Sequence, residues 1–249
     1  MVLAGLGAGV LSTTVGVASL LSFPVLLAVG LPPVVANVSN TIGLVPSGVG
    51  GAVGYREELR VHPRIAVLVM ALTGAAGAAG AALLLALPPG VFEAVVPWLI
   101  LGTCVLVGVQ PRLSAWLARR RERGGVEVRP RRRLSPLAVG FVLLTGVYGG
   151  YFGAGAGVMM LATLALSLDI ELHVVAGIRT VALLASNLVA AVVFVAVAEV
   201  DWAVVGLLAA SSVVGGYAGA RIARRLPAGV LRAAVVLAGT AASVAMLAR

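Results

Sequence analysis

Arg179 stands about seven positions inside an apolar run that opens near Leu172. An ionisable side chain at such a depth is costly, so it tends to face a cavity or a partner. A guanidinium keeps its charge and offers a planar fork of donors suited to carboxylate or sulfur-oxyanion oxygens. The competing expectations are an arginine that snorkels to a surface, or one paired with Asp169 or Glu171. One hundred and thirty-nine positions upstream lies Asn40, inside Asn37-Val38-Ser39-Asn40-Thr41, four polar side chains in five residues. Amides and hydroxyls of Asn37, Asn40 and Thr41 could replace the water shell of an ion, or could bond between helices. Glycine-rich turns at Gly16 to Ser19 and Gly153 to Gly157, Gly155 among them, could aim half-helix N–H groups at an anion. Ser19 and Ser22 add hydroxyls, and Tyr148 and Tyr151 could line a path. For Ser186 and Asn187 a structural role is preferred, as is close packing for Gly74, Gly77, Gly80, Gly215 and Gly219.

These residue types bind; they do not break bonds. His62 and His173 fall at the ends of apolar runs, no intramembrane Asp or Glu pairs with them at ligand spacing, and the glycine-rich stretches follow no strand. No enzyme, cofactor, metal site or nucleotide loop is expected. The single cysteine, Cys104, reads as packing.

The elements that must position these groups belong in lipid. Of 249 residues, 61% are hydrophobic and 11% charged, and mean hydropathy is +1.11. A soluble domain carries about 25% charged residues. The 18 basic residues are all Arg, and nine of them lie between Arg112 and Arg133. That clustering reads as a positive-inside signal rather than a nucleic-acid footprint, and the same loop could meet anionic lipid. No cleavable signal pattern is present, so the first apolar stretch is expected to stay in the mature protein.

Apolar stretches run at roughly 2–30, 34–55, 65–87, 91–109, 137–168, 172–198, 202–222 and 228–248. The hydrophilic segment 110–135 is expected to be a surface loop with a short basic helix at Leu113 to Arg123. A shift of 139 positions aligns the halves without a gap: Gly16 on Gly155, Thr41 on Thr180, Ser47 on Ser186, Gly77 on Gly216, Pro88 on Pro227. Charge reverses between equivalent breaks. Arg60 falls on Glu199, and Glu93 on Arg232. Under the positive-inside rule the halves then face opposite ways. Inversion needs an odd number of crossings per half. The stretches 2–30 and 137–168 allow it, because each is too long for one straight span and has a polar or Gly-rich middle.

The expected fold is therefore an all-α integral membrane protein of two inverted four-segment repeats, with re-entrant or broken helices at 2–30 and 137–168. Eight simple spans with parallel repeats are the rival. The expected units are residues 1–110, a cytoplasmic basic loop at 111–135, and residues 136–249, multi-pass in the plasma membrane and open to homo-oligomerisation.

Gly16-Val17-Ala18-Ser19-Leu20-Leu21-Ser22-Phe23-Pro24, then Gly30-Leu31-Pro32-Pro33-Val34-Val35-Ala36-Asn37 and Ser39-Asn40-Thr41-Ile42-Gly43-Leu44, resemble the first repeat of the TauE/SafE sulfite exporter family. Gly146-Val147-Tyr148-Gly149-Gly150-Tyr151-Phe152-Gly153-Ala154, Val200-Asp201-Trp202 and Gly219-Ala220-Arg221 resemble the second. The resemblance implies a secondary transporter of sulfite, organosulfonates or related sulfur anions, usually outward, without an ATPase module. Val17-Ala18 departs from a richer Gly/Ser turn, and Arg179 stands where relatives often carry Lys.

The expected mechanism is alternating access, with the hairpins facing each other across a midplane cavity. Arg179 would neutralise the anion while Asn37, Asn40, Thr41 and hairpin N–H groups coordinate its oxygens. The alternative from another class is a non-transporting membrane scaffold acting through the Arg112 to Arg133 segment.

Overall fold

The computed structural model describes residues 2–14, 16–123, 133–222 and 228–247, apart from some side chains in α1, α6, α10 and α11. Eleven helices and no strand appear among them: α1 (Val2–Thr14), α2 (Ser19–Ala28), α3 (Pro33–Gly54), α4 (Arg56–Val61), α5 (Pro63–Ala86), α6 (Pro89–Arg123), α7 (Pro136–Tyr151), α8 (Ala156–Ser167), α9 (Leu172–Val197), α10 (Trp202–Ile222) and α11 (Ala228–Leu247). Helices are the economical answer for such a sequence, since each satisfies its own backbone polar groups where no water can. Proline opens α3, α5 and α7, where its missing N–H would have had no intrahelical partner. Ser135 caps α7, its Oγ accepting from Ala138 N at 3.2 Å.

Both overlong apolar stretches are broken. The first divides between Thr14 and Ser19, the second between Tyr151 and Ala156. With 13 residues α1 is about 20 Å long, too short for a hydrocarbon core of ~30 Å. Three helical segments among the described residues are long and apolar enough to cross: Pro63–Ala86, Pro89–Arg112 and Leu172–Val197. α3 has the length, 22 residues, but carries the polar run at Asn37–Thr41.

The basic segment differs from its expected form. No surface helix starts afresh at Leu113; α6 continues through Pro111 to Arg123 as one helix of 35 residues. A proline in a helix costs one backbone bond, and here it does not end the helix. Residues 124–132 and 223–227 lie outside the described residues, as does the side chain of Arg221.

Close approaches fix the directions of the helices. α1 and α10 run parallel: a Cβ on Gly5 would meet Ser211, while one on Gly9 would stand 2.6 Å from Gly216 N. α3 and α10 also run parallel. Asp201 N donates to Ser39 Oγ at 3.1 Å, Ser212 Oγ donates to the Gly43 carbonyl at 3.1 Å, and a Cβ on Gly216 would lie 3.1 Å from Ser47 Oγ. Since α1 and α3 share a direction, the chain must return to its starting side between them. α2 is the segment that returns, so α1 and α2 form a helical hairpin.

The second half repeats this pattern on α5. Thr73 Oγ1 donates to the Ala182 carbonyl at 2.9 Å, and a Cβ on Gly77 would lie 2.7 Å from Ser186 Oγ, so α5 and α9 are parallel. α5 and α7 are parallel too: Cβ atoms on Gly146 and Gly150 would crowd Ala76 and Gly77 in turn. α7 and α8 therefore form a second helical hairpin.

α3 and α9, the two equivalent helices at the centre, run antiparallel. A Cβ on Gly177 would stand 3.4 Å from Tyr55, and one on Gly48 3.0 Å from Leu184. Their meeting joins the two halves. The hairpins are further locked by an aromatic cluster in which Phe23 and Phe152 meet edge to face at 5.2 Å, with Phe92 of α6 6.4 Å from Phe23 and 6.0 Å from Phe152. Edge-to-face rings are favourable beyond the area they bury.

Candidate functional site

The turns that break the two hairpins need glycine. Gly16, Gly153 and Gly155 hold φ of 80°, 77° and 76°, a left-handed conformation that costs other residues about 1–2 kcal/mol. The turns touch each other. A Cβ on Gly157 would stand 2.6 Å from the Gly16 carbonyl oxygen, so only hydrogen fits between them.

Beside this contact is a small cavity of about 60 Å³, lined by Ser12, Ser19, Gly153, Arg179, Thr180 and Asn187 together with Gly16 and apolar residues of α3 and α9. By volume it holds roughly four waters or one small oxyanion. Arg179 is 3% exposed, and a Cβ on Gly16 would lie 3.0 Å from its Nη1. Its Nε has no hydrogen-bond acceptor. Among the described residues no carboxylate lines the cavity, and Glu171 is engaged with His173 at 3.0 Å. The guanidinium therefore faces hydroxyls, an amide and backbone rather than a counter-charge. The N-terminal end of α2, at Ser19, faces the same space, and a helix N-terminus carries partial positive charge.

The structure thus brings Arg179, Ser19 and Gly153 together and places the other candidates elsewhere. Asn40 is fully buried, and its Oδ1 accepts from Ser22 Oγ at 2.5 Å. Asn37 Nδ2 donates to the Tyr151 carbonyl at 2.9 Å. The two asparagines therefore tie α3 to both hairpins, one to each. Asn37 Oδ1 and Asn40 Nδ2 have no protein partner. Thr41 is buried on the same helix but outside the cavity lining.

Tyr148, Tyr151 and Gly155 hold the second turn from its far side. The Tyr148 hydroxyl donates to the Ala154 carbonyl at 2.6 Å, and Thr103 Oγ1 of α6 donates to the same oxygen at 2.9 Å. Gly155 packs on Thr103, and the Tyr151 ring lies 5.6 Å from Phe92.

Ser12, Thr180 and Asn187 were not among the expected site residues. Helical spacing holds a signal for two of them: Thr180 follows Arg179, and Asn187 lies two turns further along the same face. Ser186, the neighbour of Asn187, turns away and donates to the Gly146 carbonyl at 3.0 Å.

Residues 1–246 match the family model described as sulfite exporter TauE/SafE. The chain is similar to a protein of a Sinorhizobium species named "Probable membrane transporter protein ORF9", 28% identical over 246 residues, covering 97% of this chain and 88% of the relative. It is also similar to a "Probable membrane transporter protein" of Haemophilus influenzae, 25% identical over 235 residues, 94% of this chain and 88% of that one. No solved structure matches.

Proposed function

Because this chain belongs to the sulfite exporter TauE/SafE family of membrane transporters, we propose that it exports a small sulfur-containing oxyanion, with Arg179 as the group that receives it. The observation that carries this reading is a buried guanidinium with no counter-charge lining its cavity, set where two broken helices meet. The fork of Arg179 supplies charge and two parallel donors. Ser12, Ser19, Thr180 and Asn187 supply neutral hydrogen-bonding groups around it, and the start of α2 adds a favourable dipole. Asn37, Asn40 and Ser22 bind the hairpins to α3, and Tyr148 and Tyr151 brace the second turn; they act on the site through the elements they hold.

Alternating access by inverted halves is the mechanism that suits this arrangement. The antiparallel run of α3 and α9, equivalent under the 139-position shift, supports inversion. So does charge. Taking the helix directions together, the 55–64 joint with Arg56, Arg60 and Arg64, the basic end of α6 and the C-terminal end of α10 at Ile222 fall on one side. Glu93, Glu199 and Asp201 fall on the other. The positive-inside rule makes the basic side cytoplasmic. The cavity then sits between the halves, where rocking of one against the other would open it to each side in turn.

The test is uptake of labelled sulfite, sulfoacetate and sulfate by proteoliposomes holding wild type or Arg179→Gln. Saturable flux of one of them in wild type, lost in a variant that still purifies as a folded protein, is expected. Normal binding and flux in Arg179→Gln would sink the reading.

A further inference from the structure

The charge arrangement around the cavity bears on how transport is driven. Among the described residues no Asp or Glu falls in the interior of a membrane-crossing helix; those described lie near helix ends, in α4 or in the short joints between helices. The cavity around Arg179 is lined by hydroxyls, one amide, glycines and aliphatic side chains. Among the described residues no carboxylate lines that space to neutralise the guanidinium or to take up a coupling proton. At about 60 Å³ the cavity admits roughly four waters, far fewer than a hydrated guanidinium keeps in bulk solution.

Alternating access must pass through a state in which the site is closed to both sides. With a singly charged oxyanion on Arg179, that state encloses an ion pair of zero net charge. Without one it encloses a lone cation, and a buried charge without a partner is heavily penalised. The loaded protein crosses this state readily and the unloaded protein does not.

We propose that the protein is an anion exchanger: one small oxyanion is returned for each one carried out, because only a protein whose Arg179 is neutralised by an anion can change the side to which it opens. This rests on the reading of the Arg179 cavity as the anion site. The return anion must satisfy the same cavity, so it too is a small oxyanion with a single charge.

The experiment uses wild-type proteoliposomes and needs no variant. Vesicles are loaded with unlabelled sulfite or with gluconate, too bulky for the cavity, at equal ionic strength. Uptake of labelled sulfite is then followed, with sulfoacetate and sulfate in parallel series. Sulfite-loaded vesicles are expected to take up label faster than gluconate-loaded ones by roughly a hundredfold, the scale set by an arginine at mid-membrane depth. The rate with sulfite on both sides is expected to be unchanged by a potassium–valinomycin potential of either sign. Equal uptake with both internal anions, or exchange that follows the potential, would overturn exchange and leave the anion site standing. Absence of flux for every anion in both arrangements would overturn the anion site and exchange with it.

Discussion

The guanidinium of Arg179 and the backbone of Gly16 leave no room for a side chain between them: a Cβ on Gly16 would stand 3.0 Å from Nη1 and 3.2 Å from Cζ. One residue belongs to the second half and the other to the break of the first hairpin, so this contact couples charge to hairpin position. Gly16→Ala should act twice. Its φ of 80° would cost alanine about 1–2 kcal/mol, and the added methyl would push on the guanidinium. The expected outcome is a lower melting temperature in detergent together with a raised KM for the transported anion. An unchanged KM would separate Gly16 from the site.

Arg179→Lys tests the fork apart from the charge. Lysine is a point charge and cannot reproduce two parallel donors. Losing one charge-assisted hydrogen bond costs on the order of tenfold to a hundredfold in affinity. Flux at low substrate should fall by that factor and recover at saturating substrate, whereas Arg179→Gln should stay inactive at both. Equal losses in the two variants would indicate that geometry matters more than charge.

Arg60 and Glu199 are equivalent under the 139-position shift, and both are exposed. If the halves are inverted, they lie on opposite faces of the membrane. On a Cys104→Ala background, Glu199→Cys should react with a membrane-impermeant maleimide in intact cells. Arg60→Cys should react only after permeabilisation. Labelling of both from the same side would establish parallel repeats instead.

Thr73 and Ser212 make the same bond in the two halves, to the carbonyls of Ala182 and Gly43 at 2.9 and 3.1 Å. Each hydroxyl also has a carbonyl on its own helix within reach, so each bond contributes modestly. Thr73→Val and Ser212→Ala should each cost about 0.6–1.7 kcal/mol. The double variant should be additive within about 0.5 kcal/mol, read by thermal unfolding in detergent. A large coupling between them would mean that the two interfaces move as one.

Gly80 and Gly102 differ only in surroundings. A Cβ on Gly80 would stand 2.8 Å from Tyr151 N and press on the Val147 carbonyl, while one on Gly102 meets nothing within 4 Å. Gly80→Ala should therefore destabilise by about 1–3 kcal/mol, the usual cost of overpacking. Gly102→Ala should be neutral or stabilise by about 0.5–1 kcal/mol, because helical glycine is entropically costly. Similar melting temperatures for the two variants would contradict the tight α5–α7 contact.

The hairpins were legible because length and composition conflict: 29 apolar residues exceed one span, and glycine in the middle of each stretch marks where the chain can turn. Arg179 was legible for the same kind of reason, a charge where the hydropathy pattern leaves no place for one. The continuation of α6 to Arg123 was not, since Pro111 and a run of arginines read locally as the end of a helix. Asn37, Asn40 and Arg179 also read alike as polar interruptions of apolar runs, and residue type cannot separate a ligand group from a strut.

What the sequence by itself determined is a helical chain for lipid, whose halves align at a shift of 139 positions, broken at two glycine-rich turns and carrying one deeply placed arginine. Those features follow from hydropathy, local backbone preference and internal identity, all of which act within a few turns of chain. What only the tertiary structure decided is which polar groups share a space. Arg179 meets Gly16, Ser19 and Gly153, while Asn40 is taken by Ser22 and Asn37 by the Tyr151 carbonyl. The two asparagine bonds alone span 18 and 114 residues of sequence, and such pairing depends on the directions in which whole helices pack, a relation that no local pattern encodes.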